Sequence, residues 1–211
     1  MNELRIGGQI VDRDEALNHA RDYLTSGTQW AYPSYDGFDA EHAHGPIVDA
    51  DLLAPLLLNV NRISISTYEA LQGVRQQLQE RLDLIPADRS LVDASAEDLE
   101  DLGLLFGVLD GAGISGARGT VLSKVLHRKR PGFIPLYDRQ VGRVYQEGEE
   151  PPVPAVRGRT WQQFAPLFAA AVEVDLRREL SLWQEISALA PSHPITPLRA
   201  LDIVAWWAGR R

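Results

Sequence analysis

Along most of this chain, apolar side chains recur at steps of three and four, the period of a helix with one buried face. Asp12 or Asp14 can cap a first helix, in which Ala16, Ala20, Tyr23 and Leu24 share one side. The run DADLLAPLLLNV, from Asp49 to Val60, predicts an apolar helix kinked by Pro55. Ser66 or Thr67 caps the next helix. There Tyr68, Leu71, Val74, Leu78, Leu82 and Ile85 form the buried stripe, and Arg75, Gln76, Gln79, Glu80 and Arg81 the solvated face. Pro86 ends it. Ser95 with Asp98 reads as an acidic capping box opening a helix over 96–109, with Leu99, Leu102, Leu105, Phe106 and Leu109 turned inward. Thr160 with Gln163 makes a second box for a long helix, single or split in two, running through Phe164, Phe168, Val172, Leu176, Leu180 and Trp183 to Ile186. Thr196 and Pro197 supply the cap and first-turn proline of a last helix ending at Gly209, with Trp206 in the core and Trp207 at its edge.

The helical period lapses near the N-terminus, where Gly7-Gly8 predicts a turn beside a small strand over Gln9 to Val11. It lapses again over 25–49, a loop carrying Trp30, Tyr32, Tyr35 and Phe38 among Gly, Pro, Ser and Asp. These aromatics either plug the core or form a rim on which a planar ligand stacks. Glu41-His42-Ala43-His44 lies near Asp49 and Asp51 but lacks the regular spacing of a metal site, so these read as solvated loop histidines. Residues 147–159, with the proline run Pro151-Pro152-Val153-Pro154, form a linker. The sum is an all-α domain of about eight helices with almost no strand.

At 211 residues the chain fits one large domain that needs no metal or disulfide to hold its core. Cysteine is absent, which excludes disulfides, thiolate zinc sites and cysteine-held iron–sulfur clusters. No signal-like run opens the sequence, and no window reaches the ~18 apolar residues of a membrane span. These features point to a cytoplasmic protein, with no cofactor and no membrane partner expected.

Charge singles out one stretch. The chain is net −8, yet the segment from Arg118 to Arg143 holds seven basic side chains against the single acid Asp138. Both lysines of the protein, Lys124 and Lys129, lie in it with Arg118, Arg128, Arg130, Arg139 and Arg143. Such concentration of one sign predicts a local anion-facing surface. Just before it, Gly111, Gly113 and Gly116 permit a tight turn with close backbone approach. A helix beginning there presents unsatisfied N–H groups to phosphate oxygens. Pro131 and the step Phe133-Ile134-Pro135-Leu136 then deliver Asp138 to the start of another short helix. Asp138 either caps that helix or acts on developing positive charge.

This order resembles the helix-hairpin-helix–Asp (HhH-GPD) superfamily of DNA glycosylases. Gly111, Gly113, Gly116, Ser123, Leu126, Pro135, Asp138 and Val141 carry the resemblance, which covers roughly 105–145. Two hairpin registers compete, one on Gly111 and Gly113, the other on Gly116 with Arg118 where the family has its second glycine. The chain also resembles an uncharacterised actinobacterial family on that fold. The resemblance implies two helical lobes, 50–137 and 1–49 with 138–211, and a base flipped into the cleft between them. It implies Asp138 as the carboxylate that promotes base loss. Gly111, Gly113, Gly116, Arg118, Thr120, Lys124, Arg128, Lys129, Arg130 and Arg139 would face DNA phosphates, and Trp30, Tyr32 and Tyr137 would wall the base. Thr120 stands where lyase-active members carry a nucleophilic lysine, so a monofunctional enzyme is implied. Three functions follow as expectations: a DNA N-glycosylase-like enzyme, a non-catalytic nucleic-acid-binding module, or a protein enclosing a small nucleotide-like ligand.

Overall fold

The computed structural model describes residues 2–211 except 28–29, 43–44, 59–62 and 112–118, and not the side chain of Ala40. Among the described residues there are ten α-helices and one two-stranded sheet, so the all-α class holds. The sheet is an antiparallel hairpin, β1 (Glu3–Ile6) on β2 (Gln9–Asp12), with Leu4 opposite Val11 and both buried. Asp12 then caps α1 (Arg13–Thr25) by accepting from Glu15 N at 2.9 Å.

Pro55 does more than kink its segment. It has no N–H to continue the ladder, so α2 (Asp49–Leu53) gives way to a 3-10 turn over Ala54–Leu58. The predicted helix over 66–85 divides at Val74 into α3 (Ile65–Gly73) and α4 (Arg75–Leu82), directly after Gly73. The long C-terminal stripe divides at Glu179 into α8 (Trp161–Arg178) and α9 (Leu180–Ser187). These two breaks raise the expected eight helices to ten. Between them lie α5 (Ala96–Gly107), α6 (Gly119–Lys129) and α7 (Arg139–Gln146), and α10 (Pro197–Ala208) closes the chain. Both predicted capping boxes form, Ser95 with Asp98 and Thr160 with Gln163.

α5 lies along α8, joining the two predicted groups of helices into one core. Gly103 sets their closeness, since a Cβ there would meet the Gln162 carbonyl oxygen at 2.9 Å. α10 packs on α1, α7 and α9. Asp175 of α8 pins the hairpin to this frame: one oxygen accepts from Gly7 N at 2.5 Å and from the Tyr145 hydroxyl at 3.0 Å. Among the described residues no helix is long and apolar enough to cross a membrane.

Candidate functional site

The basic end of α6 does not face solvent. Lys124, Arg128, Lys129 and Arg130 are all buried, and their charged ends find partners within the protein. Arg128 donates from Nη1 to the Tyr35 carbonyl at 2.9 Å and from Nη2 to that of Phe38, beneath whose ring it sits at 5.0 Å. Lys129 donates to the His42 carbonyl at 3.1 Å and pairs with Asp51 at 2.6 Å. Arg130 donates to the carbonyls of Leu82 and Ile85, at 3.0 and 2.6 Å, closing the C-terminal end of α4. An ammonium or guanidinium cannot be left bare in the interior, so Arg128, Lys129 and Arg130 have each drawn a carbonyl or carboxylate from a distant segment. This corrects the sequence reading of the run as a phosphate-facing strip: Arg128, Lys129 and Arg130 clamp the aromatic loop, α2 and α4 onto α6, and Lys124 is buried beside Asp138.

The N-terminal half of α6 instead borders a cleft of about 380 Å³. Thr120 and Lys124 from α6, Asp138 and Arg139 at the start of α7, Tyr23 from α1, Trp30 from the loop, and Arg199, Asp202 and Trp206 from α10 line it. Asp138 occupies the α7 cap: its Oδ1 accepts from Gln140 N at 2.8 Å and Val141 N at 3.1 Å. Its Oδ2 lies 3.8 Å from Lys124 Nζ, which also donates to the carbonyls of Tyr137 and Thr120 at 3.3 and 3.4 Å. Burial lowers the Lys124 pKa from the ordinary lysine value, against the opposing pull of Asp138. Capping and cleft-facing are therefore not alternatives for Asp138, since one oxygen serves each.

Arg199 organises the opposite wall. It is buried, donates to both oxygens of Asp36 at 2.7 and 3.2 Å and to the Tyr23 hydroxyl at 2.9 Å, and pairs with Asp202 through Nη1. Burial pushes the Asp202 carboxyl up to about 6; the charge on Asp138 adds to this, while Arg199 and Lys124 oppose it. Trp30 and Trp206 meet edge to face at 6.1 Å. Arg210 lies over the Trp206 ring at 4.6 Å, and the exposed Arg139 lines the cleft beside Asp138.

Of the residues singled out from sequence, the fold brings Asp138, Thr120, Lys124, Arg139 and Trp30 to this cleft. Tyr32 is not there. It is buried elsewhere, its hydroxyl bonded to the backbone of Ser192 and His193. Tyr137 turns away into an aromatic cluster with Trp161, Phe164 and Phe168 and accepts from Gln146 at 2.7 Å. Neither therefore lines the cleft, which corrects their expected role as base-pocket walls. Gly111 is exposed after the 3-10 turn Val108–Asp110 and does not reach the cleft. Gly113, Gly116 and Arg118, and with them the second glycine of one hairpin register and all the named residues of the other, lie outside the described residues, as does His44. His42 pairs with Asp39 at 2.7 Å, and among the described residues no three His, Asp or Glu side chains are grouped to hold a metal ion.

Sequence reasoning missed Arg199, Asp202 and Trp206. Their signal was present: an arginine and an aspartate three apart on the apolar face of LRALDIVAWW must pair with each other or with a third group.

The fold and cleft define an all-α protein with an aspartate–lysine pair lining a ligand-sized cavity beside aromatic side chains. The chain belongs to the Family of unknown function (DUF6308), which matches residues 16–209. No curated protein and no solved structure matches it.

Proposed function

We propose that this cleft receives a nucleobase with its sugar, and that the protein is a DNA N-glycosylase-like enzyme acting on modified or damaged bases without a lyase step. One observation carries the reading: Asp138, anchored by the first amides of α7, offers its second oxygen to the cavity beside Lys124, between aromatic walls. A carboxylate so held is placed to stabilise the cation that develops on a sugar as its base departs, or to take a proton from water. The cavity volume of about 380 Å³ suits one small planar ligand rather than a polymer segment. Trp30 and Trp206 supply aromatic walls, and the exposed Arg139 supplies charge for a phosphate that stays outside.

Burial of the basic run favours a second reading, a free nucleoside or nucleotide as the ligand, because Lys124, Arg128, Lys129 and Arg130 are not available to track a DNA backbone. A single experiment separates the two. The protein and its Asp138→Asn variant are incubated with duplexes bearing one deaminated, alkylated or oxidised base and with the matching free nucleosides, and released base is measured. Release from duplexes alone, lost in the variant, supports the glycosylase. Release from nucleosides alone supports the small-ligand reading. Release from neither, with no thermal stabilisation by any of them, removes both.

A further inference from the structure

We propose that Asp202 is the proton donor of this cleft, and that the substrate is an N-glycoside of an uncharged nucleobase. The inference rests on the N-glycosidic reading of Asp138 given above. Asp202 stands one turn beyond Arg199 and one turn before Trp206 on α10, so it lines the cavity opposite the α6–α7 wall that carries Lys124 and Asp138. Its Oδ2 is occupied by Arg199, while its Oδ1 has no hydrogen-bond partner among the described residues. That oxygen is free for a ligand.

The two carboxyls occupy unlike settings. Asp138 accepts from two backbone amides at a helix start through Oδ1, and its Oδ2 stands beside Lys124. Asp202 is enclosed, and burial holds its carboxyl up at about 6. The groups that face it are the hydroxyl of Tyr23 from α1, Tyr35 from the loop, Lys124 from α6, Asp138 and Tyr145 from α7, and Arg199 on its own helix, which Asp36 of the loop also holds. Of these, Lys124 and Arg199 favour the carboxylate, and Asp138 favours the acid. Two carboxyls in one cavity, one held by helix-start amides and the other enclosed with one oxygen unbonded, can divide the roles of base and acid.

The chemistry balances as follows. The C1′–N bond breaks, and its electron pair leaves on the base nitrogen, which takes the proton from Asp202 Oδ1. Water forms a bond to C1′ through its oxygen and yields a proton to Asp138. Exchange with solvent then resets both side chains. A neutral base needs the delivered proton to depart as a neutral molecule. A base already made cationic by N-alkylation departs neutral without one. A proton donor in the cavity therefore marks the former as the substrate class.

The test is single-turnover base release between pH 5 and 8. Substrates are duplexes containing one deoxyuridine, one deoxyinosine or one 7-methyldeoxyguanosine, together with the free nucleosides uridine, inosine and 7-methylguanosine. Release of uracil or hypoxanthine is expected to fall about tenfold per pH unit above about 6, with no such fall for 7-methylguanine. Asp202→Asn is expected to lower release of the neutral bases by roughly 100-fold more than release of 7-methylguanine. Equal losses on both classes, or a neutral-base rate that is flat above pH 6, overturn the role of Asp202 and leave the cleft reading standing. No release from any substrate overturns both. If Asp202→Asn does not fold, the wild-type comparison of neutral and cationic bases across pH decides alone.

Discussion

The Lys129 ammonium lies 2.6 Å from an Asp51 carboxylate oxygen, and the two side chains are 0% and 1% exposed. The pair joins the end of α6 to the start of α2, and Arg128 Nε stands 3.6 Å from the other Asp51 oxygen. Removing one member of such a pair strands a charge in the interior. Lys129→Met is expected to cost about 3–5 kcal/mol. The Asp51→Asn/Lys129→Met double variant should lose less than the sum of the two single variants. Urea denaturation of the three variants measures this, and a Lys129→Met loss below about 1 kcal/mol would mean that the pair is not holding the fold.

His127 should be the main acid sensitivity of the fold. It is buried, its Nδ1–H donates to the Ile134 carbonyl at 2.7 Å, and burial lowers its pKa from 6.5 to about 4. The unfolded chain therefore binds this proton more readily than the folded one. The stability His127 contributes is complete above pH 6.5 and is lost as pH falls from 6.5 through 4. Asp202 runs the other way: its carboxyl is raised from 3.8 to about 6, so its contribution is complete below 3.8 and is lost as pH rises through 6. The two offset each other between pH 4 and 6. His127→Asn, which keeps an N–H near the Ile134 carbonyl, should become more stable as pH falls across that window, by about 1–3 kcal/mol. Denaturation midpoints at pH 4.5 and 6.5 test this, and a variant that still loses stability on acidification would contradict it.

The proposed N-glycosidic function gives Asp138 a second duty beside its cap, and one substitution can separate the two. Asn caps a helix nearly as well as Asp, so Asp138→Asn should leave stability within about 0.5 kcal/mol. Base release should nonetheless fall by roughly 10²–10⁴-fold. Asp138→Ala should lose the cap as well, about 1 kcal/mol. Thermal melts run beside the release assay distinguish the cases, and equal activity in wild type and Asp138→Asn would reduce Asp138 to a cap.

Gly209, at the end of α10, lies against the first turn of α7, where a Cβ would stand 2.0 Å from the Gln140 carbonyl oxygen. Its φ of −70° is ordinary, so the requirement is for space rather than for glycine's backbone freedom. The obstruction is backbone and cannot swing aside. Gly209→Ala should destabilise by about 1–3 kcal/mol and, because Gln140 N is one of the amides that anchor Asp138, should also slow base release. Normal stability together with normal release would show that α7 yields at this contact without disturbing the cleft.

Much of the helical plan was legible because it is written locally. Ser95 with Asp98, Thr160 with Gln163, and Thr196 before Pro197 specify helix starts through contacts three residues apart, and each cap forms as read. Asp138 was legible for the same reason. The division at Val74 was not, because Tyr68 through Ile85 keeps its apolar period across the break and periodicity cannot register a change of helix direction.

The charge of the 118–143 segment was fixed by sequence, but its direction was not. A basic run reads as surface until its partners are known. Here the partners are Asp51 and the carbonyls of Tyr35, Phe38, His42, Leu82 and Ile85, all remote along the chain. Tyr32 and Tyr137 were likewise identifiable as aromatics near candidate chemistry, while only packing decided that one bonds the Ser192–His193 backbone and the other joins Phe164 and Phe168.

By itself, then, the sequence determined most helical stretches, the caps at Ser95, Thr160 and Thr196, and the placing of Asp138 at the start of α7, whereas the expected cap at Ser66 or Thr67 falls instead at Ser64. Local hydrogen bonds and side-chain period are properties of a few neighbouring residues. Tertiary structure decided that Asp138 meets Lys124 on one wall and Asp202, Arg199 and Trp206 on the other. That meeting depends on α10 packing across α1 and α7, and on Arg128, Lys129 and Arg199 finding Asp51 and Asp36 far along the chain.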